Sequence, residues 1–176
     1  MVLTVGHGTL EADDFAALVR SAGVDHVVDV RRYPGSRRHP HVASEAMATW
    51  LPDAGVAYTW VPELGGRRKP DPASPHTGLR NEQFRAYADH MATAEFAGGV
   101  AQLLELADGA QVAIMCSESV WWRCHRRLVA DHLVLVDGVA VEHLFHDGRR
   151  QPHPPTPGVA VEDGELSYRP TQEQLC

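Results

Sequence analysis

Five short apolar runs punctuate this chain, at residues 2–6, 26–30, 56–61, 111–116 and 139–144. Runs of that length suit strands and are too short for most buried helices. The segments between them carry helical periodicity. Phe15, Leu18, Val19 and Ala22 recur at i, i+3, i+4 and i+7, with Thr9 as the cap and Gly23 as the stop. Residues 44–54, 82–90, 96–107 and 121–136 read as further helices, the last with an apolar stripe through Leu128, Val129 and Leu133. Strands alternating with helices define the α/β class. The expected architecture is a single domain built on a mostly parallel, doubly wound (Rossmann-like) sheet of about five strands with flanking helices.

Composition sets the boundaries. The chain has 176 residues, of which 44% are hydrophobic, enough for one domain with a real core. Residues 1–147 are expected to form the α/β domain, and residues 148–176 a Pro-rich, acidic C-terminal arm, either a tail or loosely docked. Residues 62–80 read as a long Gly/Pro-rich loop. No stretch approaches the ~20 apolar residues of a membrane helix, so no membrane partner is expected. The first residues turn acidic where a signal peptide needs a basic flank, which points to the cytoplasm. Three cysteines, an odd number, suit free thiols in a reducing compartment.

The net charge of −7 argues against general binding of duplex nucleic acid. Its distribution is uneven. Lys69 is the only lysine, and residues 31–43 hold four arginines, two histidines and no acid. An arginine cluster inside an acidic protein suggests a local site for an oxyanion, which the guanidinium fork fits.

In an open parallel sheet, ligands sit beyond the carboxyl ends of the strands. The first four runs lead to His7, to Asp29 and Arg31, to Glu63 and Arg67, and to Cys116 and Glu118. Arg123, Cys124, His125 and Arg126 follow. The leading expectation is a pocket for a small phosphate-bearing anion or nucleotide, or a nucleic-acid end, in an enzyme (a hydrolase or transferase) or a sensor. Arg31, Arg37, Arg67 and Arg126 are the expected substrate-binding residues. Asp29, Glu63, Glu118 and His7 are the expected catalytic ones. Cys116, Cys124 and His125 are expected to be structural, since burial at a strand end raises a thiol's pKa.

Two alternatives stand beside this reading. One is rhodanese- or phosphatase-like thiol transfer at Cys116, although six residues separate it from Arg123 where phosphatase loops have five. The other is a non-catalytic ligand-binding module. No P-loop, dinucleotide fingerprint or G-x-S-x-G elbow is present, so the cofactor is unknown. A divalent metal is an open option but not the favoured one, and no metal ligand is assigned. Cys116, Cys124 and His125 contain ligand types, but neighbours on one helix point ~100° apart.

Taken in order, TVGHGT, VVDVRRYPGSRRHP, VPELGGRR and VAIMCSESVWWRCHRRLVADHL resemble the family called domain of unknown function 488, over roughly residues 2–145. The resemblance implies a compact, cytosolic, prokaryotic α/β domain with no settled activity. It also implies a shared pocket containing His7, Asp29, Arg31, Pro34, Ser36, Arg37, Glu63, Gly65, Gly66, Cys116, Glu118, Cys124, His125 and Arg126. Gly8 stands where the family usually has serine, so no role of that serine carries over. Arg32 replaces a residue that is often small and polar.

Overall fold

Every residue of β1 (Val2–Gly6) and β4 (Val112–Cys116) is buried, as befits strands covered on both faces. The computed structural model describes residues 1–170. Its other elements, in chain order, are α1 (Ala12–Ser21), β2 (His26–Asp29), α2 (Ser44–Asp53), β3 (Ala57–Trp60), α3 (Glu82–Met91) and α4 (Ala94–Leu106). After β4 come α5 (Arg126–Leu135), β5 (Val141–Leu144), β6 (Arg150–Pro152), β7 (Val159–Glu162) and β8 (Glu165–Tyr168). The main sheet has six strands in the order β3-β2-β4-β1-β5-β6, parallel throughout except for β6.

The pleat sends alternate residues to opposite faces. Leu3 and Val5 of β1, with Ala113 and Met115 of β4, pack against Phe15 and Val19 of α1 and Met47 and Leu51 of α2. Val112, Ile114 and Cys116 face the other way, among Tyr87, Phe96, Leu103 and Leu128 of α3 to α5. The expected α/β domain with helices on both faces is therefore what the chain forms.

The strand order also locates the site. From β1 the chain moves to β2 and β3 with α1 and α2 on one face. It then returns through β4 to β5 with α3, α4 and α5 on the other. The end of β4 is bracketed by β2 and β1, whose connections leave on the opposite face. A crevice opens where such connections diverge. His7, Asp29, Glu63 and Cys116 all lie just at or beyond this carboxyl edge.

Three local expectations change. The first helix starts at Ala12 after Glu11, not after a Thr9 cap, because a turn centred on Gly8 (φ 54°) occupies the intervening residues and His7 O accepts from Leu10 N. The helix expected over 121–136 is broken. A 3-10 turn spans Trp121–Arg123, Cys124 is extended (φ −121°, ψ 147°), and α5 starts afterwards.

The third change is the arm. Rather than a loosely docked tail, residues after 147 add β6 antiparallel to β5, then fold the β7–β8 hairpin. Leu166 and Tyr168 enter the core beside Tyr87 and Leu128. Residues 171–176 of the arm lie outside the described residues. A buried polar chain fastens it. Asp131 accepts from His153 Nε2 at 2.9 Å, Thr156 N at 2.8 Å and the Tyr168 hydroxyl at 3.1 Å. His153 Nδ1 meets His143 Nε2 at 2.9 Å, and His143 Nδ1 meets the Thr4 hydroxyl at 2.7 Å. His153, in the C-terminal arm, is thus an interior residue. Trp121 stacks flat on His143 at 4.0 Å.

Candidate functional site

A cleft of about 580 Å³ lies at the carboxyl edge of the sheet, within the size range of small-molecule sites. The loop after β2 forms one wall, the loop after β4 the other, and Gln83 and Phe84 from the start of α3 close one side.

Arg31 is almost fully buried and still lines the cleft. Its position is over-determined by Asp29. Asp29 Oδ1 accepts from Arg31 N at 3.0 Å and Nε at 2.8 Å, and Oδ2 accepts from Arg31 Nη2 at 2.5 Å. Tyr58 adds a hydroxyl donor to Oδ2 at 2.7 Å. Asp29 is fully buried and does not line the cleft, so its geometry is that of a residue that positions Arg31. His7 does line the cleft. Its Nδ1 donates to Gly8 O at 2.9 Å, which leaves Nε2 to accept from Arg31 Nη1 at 3.2 Å. Burial first, and the Arg31 charge second, pull His7 down to about 4, so the ring is neutral near pH 7.

The remaining carboxylates separate. Glu118 is exposed and lines the cleft; its Oε1 accepts from Val120 N at 3.3 Å. Glu63 turns away. Its Cβ lies 2.9 Å from where a Cβ on Gly99 would sit, so it packs on α4, and it does not line the cleft.

The expected arginines also divide. Arg67, at φ 58°, lines the cleft and is exposed. Arg37 is exposed outside it. Arg126 is buried beneath the sheet edge, where Nη1 donates to Val5 O at 2.7 Å and Nη2 to Ser119 O at 3.1 Å. It braces the loop after β4 and does not reach the cleft. Gly6 lets this loop cross β1: a Cβ there would strike the Glu118 carbonyl and sit 2.8 Å from Arg126 Nη1.

Residues to which the sequence reading gave no binding or catalytic role complete the cleft, with Ser36 among them as the family resemblance implies. Arg32 lines it and pairs with Glu95 at 3.5 Å; Tyr33, Ser36 and His39 follow on the same loop. Arg123 lines the facing wall. The run of arginines at 31–38 carried the signal for Arg32. Nothing in the sequence ties Arg123 to that loop, because their meeting depends on β2 and β4 being neighbours.

Cys116, Cys124 and His125 form the floor. The expectation that Cys124 and His125 cannot aim at one point fails, because Cys124 precedes α5 in an extended conformation instead of lying within a helix. His125 Nδ1 is 3.7 Å from Cys124 Sγ and 3.9 Å from Cys116 Sγ. His125 Nε2 lies 3.1 Å from the Val30 carbonyl and donates to it, which turns the Nδ1 lone pair toward both sulfurs. Gly66 leaves room for this ring edge: a Cβ there would lie 2.8 Å from Nδ1. The two thiols differ. A hydrogen bond from Cys124 draws Cys116 well below the usual thiol range, against burial and with help from His125. Burial, then Cys116 itself, pushes Cys124 up. The expected rise at Cys116 is thus reversed by its neighbours.

An α/β domain with an arginine-lined cleft over a Cys–Cys–His floor is the class of protein these features define. The family described as domain of unknown function DUF488 matches residues 11–133, and the chain belongs to that family. No curated protein and no solved structure matches the chain. The matched span contains Arg31, Arg67, Cys116, Cys124 and His125; His7 and the strands β5 to β8 lie outside it. Among the described residues no helix is long and apolar enough to cross a membrane.

Proposed function

We propose that the cleft binds a small phosphate-bearing anion of nucleotide size. The observation that carries this reading is a charge imbalance. Arg67 and Arg123 line the cleft and have no carboxylate within ion-pair distance among the described residues, while Glu118 is the only carboxylate on its walls. Two unpartnered guanidinium groups facing one cavity favour a ligand with oxyanion character. Tyr33, 65% exposed on the rim, and Phe84 offer faces on which a base stacks.

Calorimetric titration with inorganic phosphate and with adenosine monophosphate tests the reading. Losing one charged hydrogen-bond donor costs about 1.5–3 kcal/mol, or roughly 10- to 100-fold in affinity. Arg67→Ala and Arg123→Ala are expected to weaken binding by that much, and Arg37→Ala to leave it unchanged. Equal binding in all three variants would remove the basis for the reading.

Thiol transfer at Cys116 is a second reading, favoured by the presence of Cys116 and His125 together on the cleft floor. It calls for fast, stoichiometric alkylation of Cys116 by iodoacetamide at neutral pH, slowed by phosphate. Slow labelling would count against it. Acid–base catalysis by paired carboxylates has less support, because Asp29 and Glu63 do not line the cleft.

A further inference from the structure

We propose that Cys116 Sγ, Cys124 Sγ and His125 Nδ1 are three ligands of a zinc-type metal ion whose fourth position opens into the arginine-lined cleft. These three donor atoms lie within 4.8 Å of one another. With Zn–S about 2.3 Å and Zn–N about 2.0–2.1 Å, a tetrahedral site separates sulfur from nitrogen by about 3.6 Å along each edge. The observed separations of 3.7 and 3.9 Å need only a slight contraction around an ion.

The arrangement around the donors supports the same conclusion. A ligating histidine is normally held by a hydrogen bond from its other ring nitrogen to a carbonyl or carboxylate. His125 has that bond, from Nε2 to Val30 O just past the end of β2. Its ring is further held by Tyr87, with centroids 5.0 Å apart. Gly66 keeps space open beside Nδ1. Cys116 comes from the end of β4 and Cys124 from the extended link ahead of α5, so two separate parts of the backbone converge on the histidine.

The donor set limits the ion. Two thiolates and an imidazole select zinc or a similar borderline ion over magnesium or calcium, which take oxygen ligands. Three protein ligands with one open position mark a site that takes up water or substrate, whereas structural zinc sites are closed by four. All three donors line the cleft, so the open position faces the arginines. Two thiolates cancel the charge of a divalent ion. The arginines then remain available for an anion bound beside or on the metal. Only this last point, the nature of the fourth ligand, rests on the anion reading; the metal site itself does not.

The test uses the full chain in a Cys176→Ser background, reduced and freed of metal. Cobalt(II) is added as a spectroscopic probe, followed by zinc in competition with a chromophoric chelator. The expected result is one ion per chain, with sulfur-to-cobalt charge-transfer absorption and the intense visible bands of a tetrahedral site. Cys116→Ser, Cys124→Ser and His125→Asn should each lower zinc affinity by at least 100-fold, with circular dichroism confirming the fold. No charge-transfer absorption in the reduced parent chain would overturn the proposal without recourse to any variant. So would zinc binding that survives the double serine variant, or a Cys116–Cys124 disulfide forming in air from a chain that takes up no metal when reduced. Phosphate calorimetry on the metal-free chain separates the two readings. Metal uptake without phosphate binding would retain the site and remove the anion, and the converse would do the reverse.

Discussion

Asp29 and Arg31, two residues apart at the end of β2, form a two-pronged buried ion pair that aims one guanidinium nitrogen at His7 and the cleft. The carboxylate has no spare capacity: three of its hydrogen bonds come from Arg31 and the fourth from Tyr58. Breaking a buried pair from one side is costly because the partner charge stays behind. Asp29→Asn should therefore destabilise the fold by about 3 kcal/mol or more in urea unfolding. Glu63→Gln, at a side chain that turns to α4, should stay within about 0.5 kcal/mol of the parent and bind phosphate equally well. Loss of phosphate binding in Glu63→Gln with the fold intact would return that carboxylate to the site.

Folding stability should depend on pH well above the range where carboxylates titrate. His7 is held at about 4 by burial and Arg31, and His143 at about 3 by burial, His153 and Arg126. Between pH 6.5 and those values the unfolded chain binds protons that the folded chain refuses. Stability then rises with pH, at up to about 1.4 kcal/mol per pH unit for each histidine. The contribution is complete above pH 6.5 and is lost as the pH falls toward 4. Urea titrations at a series of pH values should show this slope, and His7→Gln should reduce it. An unchanged slope in that variant would place the effect elsewhere.

The C-terminal hairpin should behave as part of the folded unit. The Tyr168 hydroxyl bonds Asp131 in the interior, and such a bond contributes about 1 kcal/mol. Tyr168→Phe should lose about that much. Asp131→Asn should lose more, since its carboxylate also holds His153 and Thr156. Two parent-like unfolding curves would mean that the hairpin adds nothing to the fold.

The parallel sheet was readable because β1, β2 and β4 fall on short, mainly apolar runs, and the first four strand ends fell within about two residues of where those runs end. Which side chains share a face was not readable. Asp29 pairs in register with Met115, one residue short of Cys116, so the pleat sends Asp29 toward α2 and Cys116 toward α5. That register is set by the pairing of β2 with β4, which no local pattern encodes. The break before α5 was hidden too, since Arg123, Cys124, His125 and Arg126 include no glycine or proline. The hairpin did leave a trace. Asp163 and Gly164 both have positive φ, 53° and 84°, in the Asp-Gly turn that joins β7 to β8. Acidic and proline-rich surroundings masked it as tail.

The most direct measurement is a crystal of the full chain soaked in tungstate, a heavy mimic of phosphate, with its anomalous scattering recorded. The account predicts a strong peak inside the cleft, within hydrogen-bonding reach of Arg67 and Arg123, that weakens when phosphate is added in competition. A clean map of the cleft with no peak, or peaks confined to arginines on the outer surface such as Arg37, would contradict it.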